Sequence, residues 1–321
     1  MIPAAASHAN VLAVDALGGE TMGTTWSVKL VAPGASLRAL HDAVQARLDG
    51  IVAQMSTWLE DSDLSRFNAA QAGSWIALPE ELFAVMRCAL EIAEASGGAF
   101  DPTVGPLVDL WGFGPAGRSA AVPDDRRIEA VRRRIGWQRL ALRADTREAL
   151  QPGDVRVDLS AIAKGYAVDA VVRDLRARGI GSALVEVGGE LYGYGRKPDG
   201  APWRVLVETD PERDDGEPQV LRLSGNAVAT SGDRWHRYRD GDGEYAHTID
   251  PRTGKSAARA PVAVTVVADE AMRADAWATA LTVMGAEAGS AFARERGLAV
   301  RFVAADATAT ATGEFERHLD A

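Results

Sequence analysis

Apolar and polar positions alternate with a period of two in several short stretches, which marks strands, and recur at helical spacing in the longer stretches between them. The β-branched run 24–31 predicts a first strand, and 37–52 an amphipathic helix. Residues 79–95 predict a second helix, closed by Gly97-Gly98, and 126–135 a third whose Arg132, Arg133 and Arg134 read as a solvated face. Further on, 155–159 alternates as a strand, Ser160 is a good N-cap, and 161–177 reads as helix until Gly179 stops it. Strands are expected at Ala183–Val187, Glu190–Tyr194 and 203–208, followed by an acidic, exposed loop at 210–217. A β-branched strand at 262–268 leads into a helix over 269–284, ended by Gly285. Residues 304–313 hold few large apolar side chains and read as a loose connection. No internal repeat is visible. Short strands and helices in mixed order predict an α+β (mixed α/β) domain rather than a regular parallel βαβ array.

Composition narrows the function. The chain has 321 residues, 47% apolar and 25% charged, enough for one large domain or two small ones with a proper core. Its net charge of −10 argues against a general nucleic-acid binder, which needs a basic face. A polyanionic ligand must then be held by local positive charge, backbone amides or a metal ion. The lone Cys88 lies in an apolar helical run and reads as a buried core thiol without a disulfide partner. No segment approaches the roughly 20 apolar residues of a membrane span. The first fifteen residues lack a basic start and a sustained apolar stretch, so they do not read as a signal peptide, and no cysteine near the start could carry a lipid. The expectation is a soluble chain, cytoplasmic as written, or a periplasmic one whose leader is missing.

The helix at 274–281 carries the most chemistry. Asp275 and Thr279 are four residues apart, so their side chains stack one turn from each other. A carboxylate and a hydroxyl in that arrangement offer two hard oxygen ligands suited to Mg²⁺. Taken alone, the pair fits better an exposed Asp near a helix start with a Thr bonded back to its own helix, since metal sites are rare. The loop 97–106 is dense in turn formers yet holds Phe100, able to line a planar ring, and Asp101, able to accept hydrogen bonds. Val187-Gly-Gly-Glu190 and Thr230-Ser-Gly232 are further tight backbone sites. Neither a Gly-x-x-x-x-Gly-Lys-[Ser/Thr] loop nor a Gly-x-Gly-x-x-Gly between strand and helix occurs, which disfavours the two common nucleotide folds. None of the five histidines stands at zinc-ligand spacing from another His or from Cys. His247 opens a turn-rich segment with Asp250, Arg252 and Lys255; beside a phosphate it could donate a hydrogen bond or accept a proton.

These segments together resemble the ApbE family of FAD:protein FMN transferases, over about residues 20–303. The resemblance is carried, in order, by Glu20-Thr-Met-Gly-Thr-Thr-Trp26, by the stretch from Met55 to Asn68, and by the loop 97–106 running on to Leu110-Trp-Gly-Phe-Gly-Pro115. Asp158-Leu-Ser-Ala-Ile-Ala-Lys-Gly-Tyr-Ala167, then residues 247–254 and 274–281, complete it. It implies a single catalytic domain over 19–321, after a poorly ordered extension at 1–18, with FAD in a cleft between two subregions. By the matching motifs, Met22, Trp58, Ala99, Phe100 and Asp101 would contact the flavin nucleotide, and Ser160, Tyr166 and Ile249 would lie along its remaining length. Mg²⁺ would sit on Asp275, Thr279 and the backbone carbonyl of Ala163. Trp58 departs from the tyrosine of many relatives, which keeps ring stacking but loses a phenol hydrogen bond.

The implied reaction breaks the FAD pyrophosphate, leaving AMP and moving FMN onto a Ser or Thr hydroxyl of another protein. His247 is the first candidate base, with Asp275 or a cation-bound water second. The family's acceptors, flavinylated membrane redox subunits among them, present Ser/Thr-Gly-Ala-Ser/Thr; the nearest run here is Pro33-Gly-Ala-Ser36, whose proline supplies no hydroxyl. The acceptor is therefore expected to be another polypeptide. Two other readings stay open at this point: a Mg-dependent FAD pyrophosphatase that uses water, and a non-catalytic FAD carrier.

Overall fold

Met22 and Gly23, with φ of 50° and 72°, form the tight turn of a hairpin between strands Asp15–Thr21 and Thr24–Leu30. Positive φ at both central residues matches the twist of the flanking strands. The computed structural model describes residues 13–114, 122–207, 219–232, 237–240, 243–257, 261, 263–304, 306 and 308–320. Among these, the hairpin begins an eight-stranded sheet that continues through Ala183–Val187, Glu190–Tyr194, Asn226–Ser231, Ala263–Ala268, Ala299–Val303 and Ala309–Ala311. The strands lie side by side in chain order, and every neighbouring pair is antiparallel. Most of the other described elements lie in insertions between consecutive strands of this meander, and the short helix Gly313–Glu316 follows its last strand.

One insertion, between Leu30 and Ala183, supplies helices Leu37–Met55, Glu80–Ala95 and Ala163–Ala177. They bury Leu48, Ile51, Val85, Ile92 and Val171 with Val28, Leu30, Val185 and Val187 of the sheet in one core. The Ala271–Met284 helix continues that layer over Ala229, Val264, Val266 and Phe302. Trp203, Leu221, Leu223 and Phe315 cover the other face, against Val228 and Val267. Strand Asn226–Ser231 shows the period of two directly: Ala227 and Ala229 face the helices, and Val228 faces the opposite layer. A small separate core of Leu107, Trp111, Ile128 and Ile249 builds the second subregion, where Trp111 Nε1 donates to Gly254 O at 2.9 Å. Among the described residues, no helix is long and apolar enough to cross a membrane.

The structural centre is the crossing of helices Ala163–Ala177 and Ala271–Met284. A Cβ at Gly165 would lie 2.2 Å from Ala271 O, so only glycine admits this approach. At that contact each helix receives a buried carboxylate from the other. Asp275 Oδ2 accepts from Gly165 N at 3.0 Å, while Asp169 Oδ1 and Oδ2 accept from Ala271 N and Met272 N, each at 2.9 Å. Both helix starts lack a side-chain cap of their own, and these exchanged bonds satisfy the exposed N–H groups there.

Several expectations change. Ser160 does not cap the helix, which begins at Ala163 behind Ile162; its own N and Oγ donate instead to Asp158 Oδ1 at 2.8 and 2.6 Å. Residues 155–159 are extended but join no ladder. The Asn68 side chain takes the neighbouring strand's place, donating to Val157 O at 2.9 Å and accepting from Val157 N at 2.7 Å. The stretch 304–313 is not merely loose, because Ala309–Ala311 pairs with Arg301–Val303 and Thr312 ties the return by accepting from Val300 N and donating to Leu298 O. The first helix runs on to Met55, and the arginine-rich helix is shorter, Asp125–Arg132, capped by Asp124. Strand Asp15–Thr21 escaped the pattern because of Gly18-Gly19, where a Cβ on Gly19 would lie 2.7 Å from Trp26 Nε1. The expected loop 210–217 lies outside the described residues. Cys88 is buried as expected, and burial pushes its thiol up to about 11.

Gly165→Ala is expected to lower the unfolding free energy by about 2–3 kcal/mol, because the new methyl overpacks the helix crossing against backbone. Urea unfolding of the two proteins, followed by circular dichroism, checks this; equal midpoints would show that the crossing has slack.

Candidate active site

A cleft of about 830 Å³ opens between the sheet-and-helix body and the small second subregion. That volume lies within the usual range for a pocket that holds a large cofactor. From the second subregion Val108, Phe113 and Ile249 line it, and from the sheet Thr230 and Thr265 do so, cross-strand partners with hydroxyls 3.0 Å apart. Its polar end is the helix crossing, which contributes Lys164, Asp275 and Thr279.

Local chain chemistry places each wall. The loop 97–101 turns on Gly97 and Gly98, with φ of 60° and 78°, and Ser96 Oγ accepts from Phe100 N at 3.1 Å. Asp101 brackets the loop: Oδ1 accepts from Thr103 N and Oγ1 at 2.8 and 2.6 Å, and Oδ2 from Trp137 N at 3.2 Å. Burial raises its pKa, and these hydrogen bonds oppose the rise. Trp58 stands on the rim, 70% exposed, in a loop pinned by Ser62 Oγ donating to Ser56 O at 2.6 Å. Leu206, 59% exposed, is a second large apolar side chain in the lining.

The cleft brings together Trp58, Ala99, Phe100, Asp101, Ser160, His247, Ile249, Asp275 and Thr279 from segments far apart in sequence. Met22, Ala163 and Tyr166 lie outside the lining. Met22 sits in the hairpin turn, half-buried against the main core. Tyr166 is buried among the helices, its hydroxyl donating to Glu81 Oε1 at 2.8 Å. Ala163 is the buried first residue of its helix, two positions before the Gly165 N–H that reaches Asp275. His247 is half-buried, with Phe113 edge-on at 6.3 Å between ring centroids.

At the polar end, Lys164 and Glu190 carry charge that sequence reasoning did not assign. Lys164 Nζ forms an ion pair with Glu190 Oε1 and lies 4.0 Å from Asp275 Oδ1. Both carboxylates are almost wholly buried, Glu190 at 3% and Asp275 at 4% exposure. Burial raises the pKa of each, and the Asp275 charge raises Glu190 further, while Lys164 opposes both shifts. For Lys164, burial works to lower the pKa, but the charges of Asp275 and Glu190 outweigh it and keep the ammonium protonated. Gly188, at φ 58°, packs beside this arrangement, and a Cβ there would lie 2.8 Å from Thr24 Cγ2 and 3.1 Å from Lys164 Cδ. The only sequence signal was position: Lys164 and Glu190 lie within motifs already singled out for other reasons.

The residues at this end fit a hard divalent cation. Two buried carboxylates share one ammonium, and Glu190 Oε2 is buried with no hydrogen-bond partner among the described residues. Thr282 bonds back to its helix at Ala278 O, 2.8 Å, whereas no such bond is formed by Thr279 among the described residues, leaving its hydroxyl for the cleft. Among the described residues no group of three or more His, Cys, Asp or Glu side chains is placed to hold a metal ion, so any cation here would also need hydroxyl or carbonyl oxygens.

Comparison with known proteins finds relatives in sequence and in fold. The model of the ApbE family matches residues 22–302. The FAD:protein FMN transferase of Klebsiella pneumoniae (strain 342) is 39% identical over 293 residues, covering 89% of this chain and 83% of its own. That of Escherichia coli (strain K12) is 36% identical over 304 residues, covering 93% and 86%. Among solved structures, the apo form of the Pseudomonas stutzeri flavinyl transferase ApbE superposes with a TM-score of 0.89 at 38% identity, covering 97% of this chain and 98% of that one. The Thermotoga maritima ApbE protein does so with a TM-score of 0.86 at 28% identity, over 96% and 100%.

Beneath the cleft, burial pushes the Asp169 carboxyl up to about 6, against the two N–H groups that favour its charged form. The folded chain thus holds this proton more tightly than the unfolded one, whose Asp titrates near ~3.9. The stability this contributes is fully present below about pH 4 and is lost as pH rises through about 6. Asp169→Asn is insensitive to pH, so its stability deficit against the parent should be larger at pH 4.5 than at pH 7.5, by about 2 kcal/mol. Urea titrations at the two pH values check this; an equal deficit would refute it.

Proposed function

The chain belongs to the ApbE family, and from that membership and its cleft we propose that it transfers FMN from FAD to a Ser or Thr hydroxyl of another protein, with Mg²⁺. The observation that carries this reading is the buried carboxylate of Asp275, held by the Gly165 N–H at the polar end of a cleft that Phe100, Val108, Phe113 and Ile249 also line. Phe100 and the exposed Trp58 offer ring faces for the isoalloxazine. A divalent cation held by Asp275, Thr279 and the Ala163 carbonyl would supply positive charge to the pyrophosphate oxygens. The helix crossing holds Asp275 in place, so its position needs no reorganisation during the reaction.

In the transfer, the acceptor oxygen forms a bond to the phosphorus on the FMN side. The bond from that phosphorus to the bridging oxygen breaks, and the bridging oxygen leaves with AMP. The acceptor hydroxyl's proton goes to His247, whose imidazole lines the cleft. The acceptor is a separate chain bearing Ser/Thr-Gly-Ala-Ser/Thr, of the kind found in membrane redox subunits, since this chain's Pro33-Gly-Ala-Ser36 lacks the first hydroxyl.

Incubation with FAD, MgCl₂ and a carrier bearing that motif is expected to give an acid-stable fluorescent carrier, heavier by one FMN in intact mass. Asp275→Ala should reduce the labelling rate about 100-fold or more. AMP and free FMN released with an unlabelled carrier would replace transfer by hydrolysis. Trp58→Ala should leave the unfolding midpoint unchanged, as its ring is mostly exposed, yet weaken FAD binding about tenfold by fluorescence titration. Unchanged affinity would remove Trp58 from the site.

A further inference from the structure

The cleft poses an electrostatic problem. The lining holds Asp101, Asp158, Glu186, Glu190 and Asp275, against Lys164 as its sole Lys or Arg among the described residues. Three of these carboxylates are occupied by local backbone donors: Asp101 by Thr103 and Trp137, Asp158 by Ser160, and Glu186 by Gly189 at 2.9 Å. Such bonds stabilise the charged forms where they stand. Glu190 and Asp275, both nearly fully buried, share the one ammonium, and Asp275 accepts in addition from Gly165 N of the facing helix. An isolated buried carboxylate is costly, so this ammonium is a structural necessity while no other cation is present.

The same ammonium is also the fixed positive charge nearest to where a pyrophosphate would meet Asp275. It cannot fully serve both partners. We propose that Lys164 is an exchangeable counter-ion: it neutralises Asp275 and Glu190 in the cation-free protein, and is released toward the FAD pyrophosphate when a divalent cation takes Asp275. The inference rests on the proposed metal site and deepens it, since it makes cation and FAD bind cooperatively through one side chain. Glu190 is then a positioning residue. It keeps hold of the lysine stem end while Asp275 exchanges partners, and its buried Oε2 is the spare acceptor that lets the ammonium pivot. Reciprocity follows from linkage: whatever the cation gains from FAD, FAD gains from the cation.

The test uses the full chain and reads binding rather than turnover. Mg²⁺ affinity is measured by titration calorimetry with MgCl₂ alone, and FAD affinity by flavin fluorescence at early times, in EDTA and in saturating MgCl₂. Lys164→Gln leaves Glu190 a hydrogen-bonding partner and should bind Mg²⁺ about tenfold more tightly than the parent, since the competing charge is gone. Glu190→Gln should act in the opposite sense, because the ammonium then settles on Asp275, and weaken Mg²⁺ about tenfold. For FAD, Lys164→Gln should match the parent in EDTA and lose about tenfold only in MgCl₂. An equal loss of FAD affinity in both media would mean that Lys164 always faces the phosphates, and would overturn the exchange. So would a Lys164→Gln protein whose Mg²⁺ affinity is unchanged or lower. A parent that binds no Mg²⁺, or an Asp275→Asn protein that binds it as well as the parent, would instead overturn the metal site itself and the exchange with it.

Discussion

Two helices that exchange buried carboxylates at a glycine contact set the geometry of everything else in this molecule. Asp169 leaves the Ala163–Ala177 helix to satisfy Ala271 and Met272, and Asp275 leaves the Ala271–Met284 helix to satisfy Gly165. Each bond joins a negative side chain to the positive end of a helix, in surroundings with little water to weaken it. The contact can form only because Gly165 has no side chain. It is at once a piece of core architecture and the support of the cleft's polar end.

That double role explains why the charges are tolerable. Asp275 is deep enough to be costly as an anion, and it is offset by one backbone N–H and by an ammonium it shares with Glu190. A buried polar cluster that is left incompletely satisfied is poor for stability and useful for binding, because an incoming cation completes it. The apolar side chains of the second subregion, among them Phe113 and Ile249, shield the same space from bulk water and strengthen each interaction inside it.

The antiparallel meander provides the frame. Since its strands follow one another in chain order, long insertions can leave the sheet and return without crossing another connection. The largest insertion contributes the aromatic loop residues and Lys164, and the helix between two later strands contributes Asp275 and Thr279. The site is thus assembled from segments more than a hundred residues apart, its charged end on two crossing helices and its aromatic wall on loops held by their own hydrogen bonds.

Much of this was legible beforehand where the cause is local. Strand-like runs set off by Gly and Pro located Ala183–Val187 and Glu190–Tyr194, Gly285 closed the Asp275 helix as expected, and the ordered motifs pointed to the family and to nine residues that line the cleft. Local rules failed where a distant group supplied what a neighbour usually does. Ser160 looked like a cap, but Asp275 from another helix does that work; residues 155–159 looked like a strand, but the Asn68 amide replaces the ladder. Tyr166, inside a matching motif, turns to Glu81 because the helix face it occupies points into the core. Spacing along a chain determines which side chains share a face of one element. Only packing decides which faces meet, and so the partnership of Lys164 with Glu190 and Asp275, a matter of ångströms between remote segments, belongs to the tertiary structure alone.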